Sequence, residues 1–145
     1  MHDTTLDCKA CRAIANPATP NLVWENDLWV LRHTGAPYAE LGWMTLHSRR
    51  HAPALTMLTD EELADFGPTA KRISEAILAA TGALRVYVAT LTESTPHFHA
   101  HFAPRYEGGP KGWDTILLKA KPGTRNVAQA DVARVIDEVG EQLRK

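Results

Sequence analysis

The sequence predicts an α+β fold, with an antiparallel sheet of about five strands, a long helix and a C-terminal helix packed on one face. Three observations carry that expectation. Short runs rich in β-branched, aromatic and other apolar residues fall at 21–33, 43–47, 84–91 and 97–103. A helical apolar period fills 59–82, between the third and fourth strand candidates. A second apolar stripe closes the chain over 128–143.

Taken in order, Asn21 to His33 is rich in Trp, Val and Leu, and Asn26-Asp27 breaks it into two strands joined by a turn. Trp43 to His47, entered from Gly42, is the third strand. Thr59 with Glu62 fits a capping box, and Asp60, Glu61 and Glu62 suit the positive end of a helix dipole. Leu63, Phe66, Ala70, Ile73 and Ile77 share one helical face, and Gly82 closes the helix. Pro68 is expected to kink or split it. Leu84 to Leu91 reads as a strand through Val86, Tyr87 and Val88. Thr92-Glu93-Ser94-Thr95-Pro96 is turn material, so 84–91 and 97–103 should form a hairpin-like pair. Tyr106 to Trp113 contains Gly108, Gly109, Pro110 and Gly112 and is expected to be a mobile loop. The last helix, from about Ala128 to Leu143, has a stripe of Val132, Val135 or Ile136, Val139 and Leu143.

Composition narrows the function classes. At 145 residues the chain suits one domain, 1–145, with an ordinary balance of 44% apolar and 23% charged residues. A net charge of −1 gives no long-range attraction to nucleic acid or an anionic membrane, so any phosphate binding must be local. No apolar run is long enough to span a bilayer, and Met1 to Thr5 lacks the marks of a signal peptide. A cytoplasmic location is expected. Cys8 and Cys11 are too few and too close for a disulfide framework.

The central signal is His97-Phe98-His99-Ala100-His101-Phe102-Ala103. On a strand, His97, His99 and His101 share one face, roughly 6.5–7 Å apart, while Phe98, Ala100 and Phe102 enter a core. Imidazole titrates near neutral pH, so such a row suits a nucleophile, a metal ligand or a proton carrier, and all three stay open. As a nucleophile, one imidazole would attack phosphorus and form an intermediate that water cleaves. Its neighbours would hold the phosphate oxygens and protonate the leaving group. Arg105, just past the strand, is a candidate fixed positive charge. Cys8-Lys9-Ala10-Cys11 has metal-ligand spacing, although a redox pair or two plain thiols fit it as well.

With these residues in view, the chain resembles the histidine-triad (HIT) family. His97 to Ala103 matches its His-φ-His-φ-His-φ-φ motif, where φ is apolar, and Pro104-Arg105 resembles the pair that often follows in the hydrolase branch. Trp24-Glu25-Asn26-Asp27, Gly42 to His51 and Leu58 to Glu62 resemble the family's early turn, its second conserved block and the start of its long helix. The resemblance covers about residues 8–105. It implies a HIT-like fold and nucleotide hydrolysis or nucleotidyl transfer at the α-phosphate, with a dinucleoside polyphosphate, phosphoramidate or similar substrate. The implied nucleophile is His99, His101 contacts the phosphate, and Ser94 assists the phosphate or leaving group. The residues read as substrate-binding are Arg105, Asn26, Thr34 and His97. The resemblance also implies a structural zinc on Cys8, Cys11, His51 and His97 and a homodimer; His47, four residues from His51, is a competing ligand, and Trp24, Trp29 and the long helix supply apolar area for the dimer contact.

Departures point to altered recognition. Thr34 stands where the family often has an acidic residue that holds the ribose, and Trp43 where it has His. Ser48 replaces Pro, and Thr92-Glu93 replaces Gly-Gln. Two rival functions follow: a non-catalytic HIT-fold nucleotide-binding protein, and a metal-dependent enzyme that uses the triad as ligands. His2 and His33 are read as exposed and incidental, and Lys119, Lys121 and Arg125 as a solvated face. Arg49-Arg50 is read as a solvated loop pair or a phosphate binder, and Trp113 as a cover for the site or a packing residue.

Overall fold

Strand-forming and helix-forming segments alternate much as the sequence pattern predicts. The structure, a computed structural model, describes residues 7–35, 40–117 and 127–145. His2, Lys119, Lys121 and Arg125 lie outside the described residues. Helix α1 (Lys9–Ala15) leads into strands β1 (Leu22–Glu25), β2 (Trp29–His33) and β3 (Met44–Ser48). Helix α2 (Asp60–Thr81) follows, then β4 (Arg85–Ala89), β5 (His99–Arg105), the short α3 (Trp113–Leu117) and α4 (Gln129–Arg144). The five strands form one antiparallel sheet in the order β1-β2-β3-β5-β4. No described helix is long and apolar enough to cross a membrane.

Local chemistry sets the element ends. Asn26 Oδ1 accepts from the backbone N–H groups of Leu28 and Trp29, which closes the β1–β2 turn. Thr59 Oγ1 accepts from Glu62 N–H, and the Glu62 carboxylate accepts from Thr59 N–H, completing the capping box of α2. Gly82, at φ 70°, ends α2 in the left-handed conformation that glycine adopts without penalty.

Four expectations change. Pro68 does not split α2, which runs unbroken through it. Gly67 and Pro68 lie on the exposed side, so the carbonyl that Pro68 leaves without an N–H partner faces solvent. Leu63 is exposed and lies off the buried stripe of Ile73, Ala76, Ile77 and Ala80. Strand β5 begins at His99, because His97 N–H bonds to Thr95 O and Phe98 N–H to Ala52 O, outside the ladder. The 106–113 loop is tied at both ends, where Tyr106 Oη donates to Leu41 O and Tyr87 Oη accepts from Gly112 N–H.

The two sheet faces differ in kind. On one, Leu31, Leu46 and Ala100 stand abreast under Ile73 and Ile77 of α2 and Val135 and Val139 of α4. Trp29 belongs to this core, fully buried between Phe66 and Phe98, with its Nε1 donating to Asp65 at 2.7 Å. It therefore contributes nothing to an exposed interface. Gly140 lets α4 cross β1 closely, since a Cβ there would meet Val23 O at 2.5 Å. The opposite face carries two polar rows, Arg32–Thr45–His101 and His47–His99, and a small apolar cluster of Trp43, Ala103, Tyr87 and Ile116 beside α3.

Candidate functional site

The polar face divides into two neighbouring sites. At the first, α1 brings Cys8 and Cys11 against the histidines that follow β3 and precede β5. The metal-ligating atoms of Cys8, Cys11, His51 and His97 all lie within 4.8 Å of one another. His97 Nδ1 is 3.4 Å from both sulfurs, and His51 Nδ1 is 3.4 Å from Cys11 Sγ. A zinc tetrahedron with ordinary bond lengths has donor–donor edges of about 3.3–3.8 Å, so these residues fit the ion. The remaining nitrogen of His97 confirms the fit: Nε2 lies 2.7 Å from the Ser48 carbonyl, which can only accept. The proton therefore sits on Nε2, and Nδ1 presents its lone pair to the thiols. Burial pushes the His97 imidazole below its ordinary pKa, with His51 and His99 acting the same way and the bond to Ser48 opposing them.

At the second site, His99 makes the mirror-image choice. Its Nδ1 lies 2.8 Å from the carbonyl of His97, so Nδ1 carries the proton and Nε2 keeps a lone pair. His101 is set the other way. Trp43 Nε1, which can only donate, lies 3.5 Å from His101 Nδ1, and the Thr45 hydroxyl, which can donate as well, lies 3.4 Å from the same nitrogen, an arrangement that suits a proton on Nε2. The two rings meet edge to face, 5.1 Å apart. A cavity of about 260 Å³ opens beside His99, lined by Arg32, His33, Thr34, Gly35, Thr45, His47 and Thr95.

The predicted site residues fall into three groups. Cys8, Cys11, His51 and His97 come together at the first site, while His99 and His101 adjoin at the second, with Thr34 on the cavity wall. Ser94 is exposed and lines a different cavity of about 410 Å³ with Cys8, Lys9 and His51; Thr95 lines both. Asn26 is held in the β1–β2 turn. Arg105 stands six residues along β5 from His99, about 20 Å away at strand rise. The structure does not bring it to the cavity.

Other readings are corrected. His33 is buried, not incidental: its Nδ1 donates to Thr34 O and its Nε2 accepts from Gly42 N–H. Burial lowers its pKa, against the bond to Thr34. Arg49 pairs with Glu25 at 2.8 Å, and Arg50 grips Glu62 with two bonds of 3.1 and 2.8 Å, so both arginines serve the fold. Burial alone would raise the Glu62 pKa, but Arg50 and the Thr59 N–H outweigh it and hold the carboxyl low. Trp113 is 74% exposed and lines a separate groove with Tyr87 and Val88.

Sequence reasoning weighed His47 only as a metal ligand and missed Arg32. His47 stacks on His99 with ring centroids 5.6 Å apart. The signal available was alternation on β3, which puts Thr45 and His47 on one face, but register is needed to place that face beside the triad.

The model of the HIT domain matches residues 16–108. No curated protein matches the chain. Among solved structures, a zinc-bound histidine triad family protein from Mycobacterium smegmatis is similar with TM-score 0.73 and 18% identity, covering 97% of each chain. A Hit-like protein involved in cell-cycle regulation from Bartonella henselae gives 0.71 and 16%, covering 94% of this chain and 96% of its own. A member of the HIT family from Bacillus subtilis gives 0.65 and 18%, covering 85% and 99%.

Proposed function

The chain belongs to the HIT-domain family, and from that premise we propose a nucleotide hydrolase or nucleotidyl transferase that acts at the α-phosphate through a covalent intermediate on His99. The observation that carries this reading is the bond from His99 Nδ1 to the His97 carbonyl, which aims an unprotonated Nε2 away from the backbone. Nε2 attacks phosphorus, the bond to the leaving group breaks, and a phosphorus–nitrogen bond replaces it. The Nε2–H of His101 faces the charge that gathers on the phosphate oxygens. A hydroxyl from water or an acceptor alcohol then displaces His99, and its proton passes to solvent.

The leaving group takes up a proton as it departs. Ser94 can supply it only to a group that extends past Thr95 into the neighbouring cavity. Zinc on Cys8, Cys11, His51 and His97 would be structural, since four protein ligands leave no open position. That closed set takes only His97 from the triad, which argues against a catalytic metal held by all three histidines. The homodimer reading now rests on the β4 edge, which no described strand pairs, where Leu84, Val88 and Leu91 are exposed.

The test is single-turnover quenching with a phosphorus-labelled nucleoside phosphoramidate or diadenosine polyphosphate. Label trapped on His99 supports the reading. Nucleotide binding with neither label nor turnover would favour the non-catalytic alternative.

A further inference from the structure

We propose that the cavity beside His99 contains a second anion subsite built on Arg32 and Thr34. Its substrate is then a nucleoside 5′-phosphate derivative that carries a further phosphate on its ribose. This rests on the reading of His99 as the nucleophile.

Arg32, Thr45 and His101 stand abreast on β2, β3 and β5. Two strand spacings separate the backbones of Arg32 and His101 by about 10 Å. Arg32 Nη1 donates to Thr19 O at 2.8 Å and Pro20 O at 3.2 Å, so one corner of the guanidinium is clamped by backbone. Among the described residues no carboxylate bonds to the rest of its fork; Glu25 acts on Arg32 through its charge but bonds to Arg49. A fixed guanidinium on a cavity wall with donors to spare is suited to a phosphate.

Thr34 supplies an independent observation. It lines the same cavity, and its Oγ1 is buried with no hydrogen-bond partner among the described residues. A buried hydroxyl left that way is costly, and a turn about χ1 toward the cavity would let a ligand oxygen satisfy it. The spacing selects the ligand. Strand β3 lies between Arg32 and His101, so a phosphate bonded directly to the scissile one stays beside the histidines. A phosphate carried across a sugar ring spans the gap.

The experiment is calorimetric titration of the protein as purified with adenosine 5′-phosphate, ADP, adenosine 2′,5′-bisphosphate and adenosine 3′,5′-bisphosphate. One bisphosphate should bind at least about tenfold more tightly than the monophosphate, while ADP gains little. Arg32→Gln should bring that gap to within about twofold, and Thr34→Val should narrow it. Equal affinities, no binding of either bisphosphate, or an equal gain by ADP would overturn the proposal. The wild-type series decides the matter even if a variant misfolds. Parallel turnover of the corresponding 5′-phosphoramidates separates the two readings: a bisphosphate preference without turnover keeps the subsite and removes the hydrolase.

Discussion

His97 and His99 are two residues apart and carry the same side chain, one just before β5 and one at its first position, yet their geometry sets opposite tautomers. His97 donates a hydrogen bond from Nε2–H to Ser48 O and turns Nδ1 to two thiols. His99 donates a hydrogen bond from Nδ1–H to the His97 carbonyl and leaves Nε2 with its lone pair. One imidazole becomes part of a closed four-ligand cluster and the other the wall of an open cavity. The comparison teaches that a histidine's role is set by the partner of its second nitrogen. Residue type and face alone do not separate a ligand from a nucleophile.

The largest effect expected is the one that splits the pair. His99→Ala should lose turnover by roughly a thousandfold or more while keeping its fold and metal. His97→Ala should lose metal, read by elemental analysis. If the His99 variant retains a tenth of wild-type turnover, His101 becomes the better nucleophile.

Next in size is removal of the closed site. Cys8→Ser combined with Cys11→Ser should abolish zinc binding and lower Tm by roughly 10 °C or more, because structural zinc contributes folding free energy. A strong chelator should act as the double variant does and loosen the fold. Chelation that stops turnover while leaving Tm unchanged would give the metal a catalytic role instead.

A smaller effect concerns acid. Burial holds the pKa of both His97 and His33 below the ordinary 6.5, so each stabilises the fold in its neutral form. That stability is complete above about pH 6.5 and is lost as pH falls through the folded-state values. In the double cysteine variant the metal contribution is gone. His33→Gln in that background should flatten the remaining pH dependence, by at most about 1.4 kcal/mol per pH unit per histidine. Unchanged denaturant midpoints between pH 7.5 and pH 5.5 in the parent would contradict this.

The smallest effect lies on the cavity wall. Thr34 offers a hydroxyl, which makes a shorter list of contacts to ribose than a carboxylate. Preference for ribonucleotides over deoxyribonucleotides should stay under about tenfold, and a preference on the order of a hundredfold would contradict it.

The fold was open to reading because its signals are local. Capping at Thr59 and Glu62, the left-handed stop at Gly82 and the alternation through Phe98, Ala100 and Phe102 depend on residues a few positions apart. Where a local signal failed, a neighbour had answered the local cost. Pro68 sits where solvent receives the carbonyl it orphans, and Leu63 lies just off the stripe that α2 buries.

By itself, then, the sequence determined the five strands, the two long helices and the set of residues able to bind metal or attack phosphate, while the short helices α1 and α3 went unread. Only the tertiary structure showed which partner each histidine's second nitrogen meets. Cys8 and Cys11 reach His97 across more than eighty intervening residues, and Ser48 O, at the end of β3, accepts the hydrogen bond from its Nε2–H. Register likewise carried His47 and Arg32 to the triad face and left Arg105 at the far end of β5. The physical reason is that a side chain's face follows from period-two geometry along one strand. Proton placement and reach follow from hydrogen-bond partners on other strands, and no local pattern encodes those.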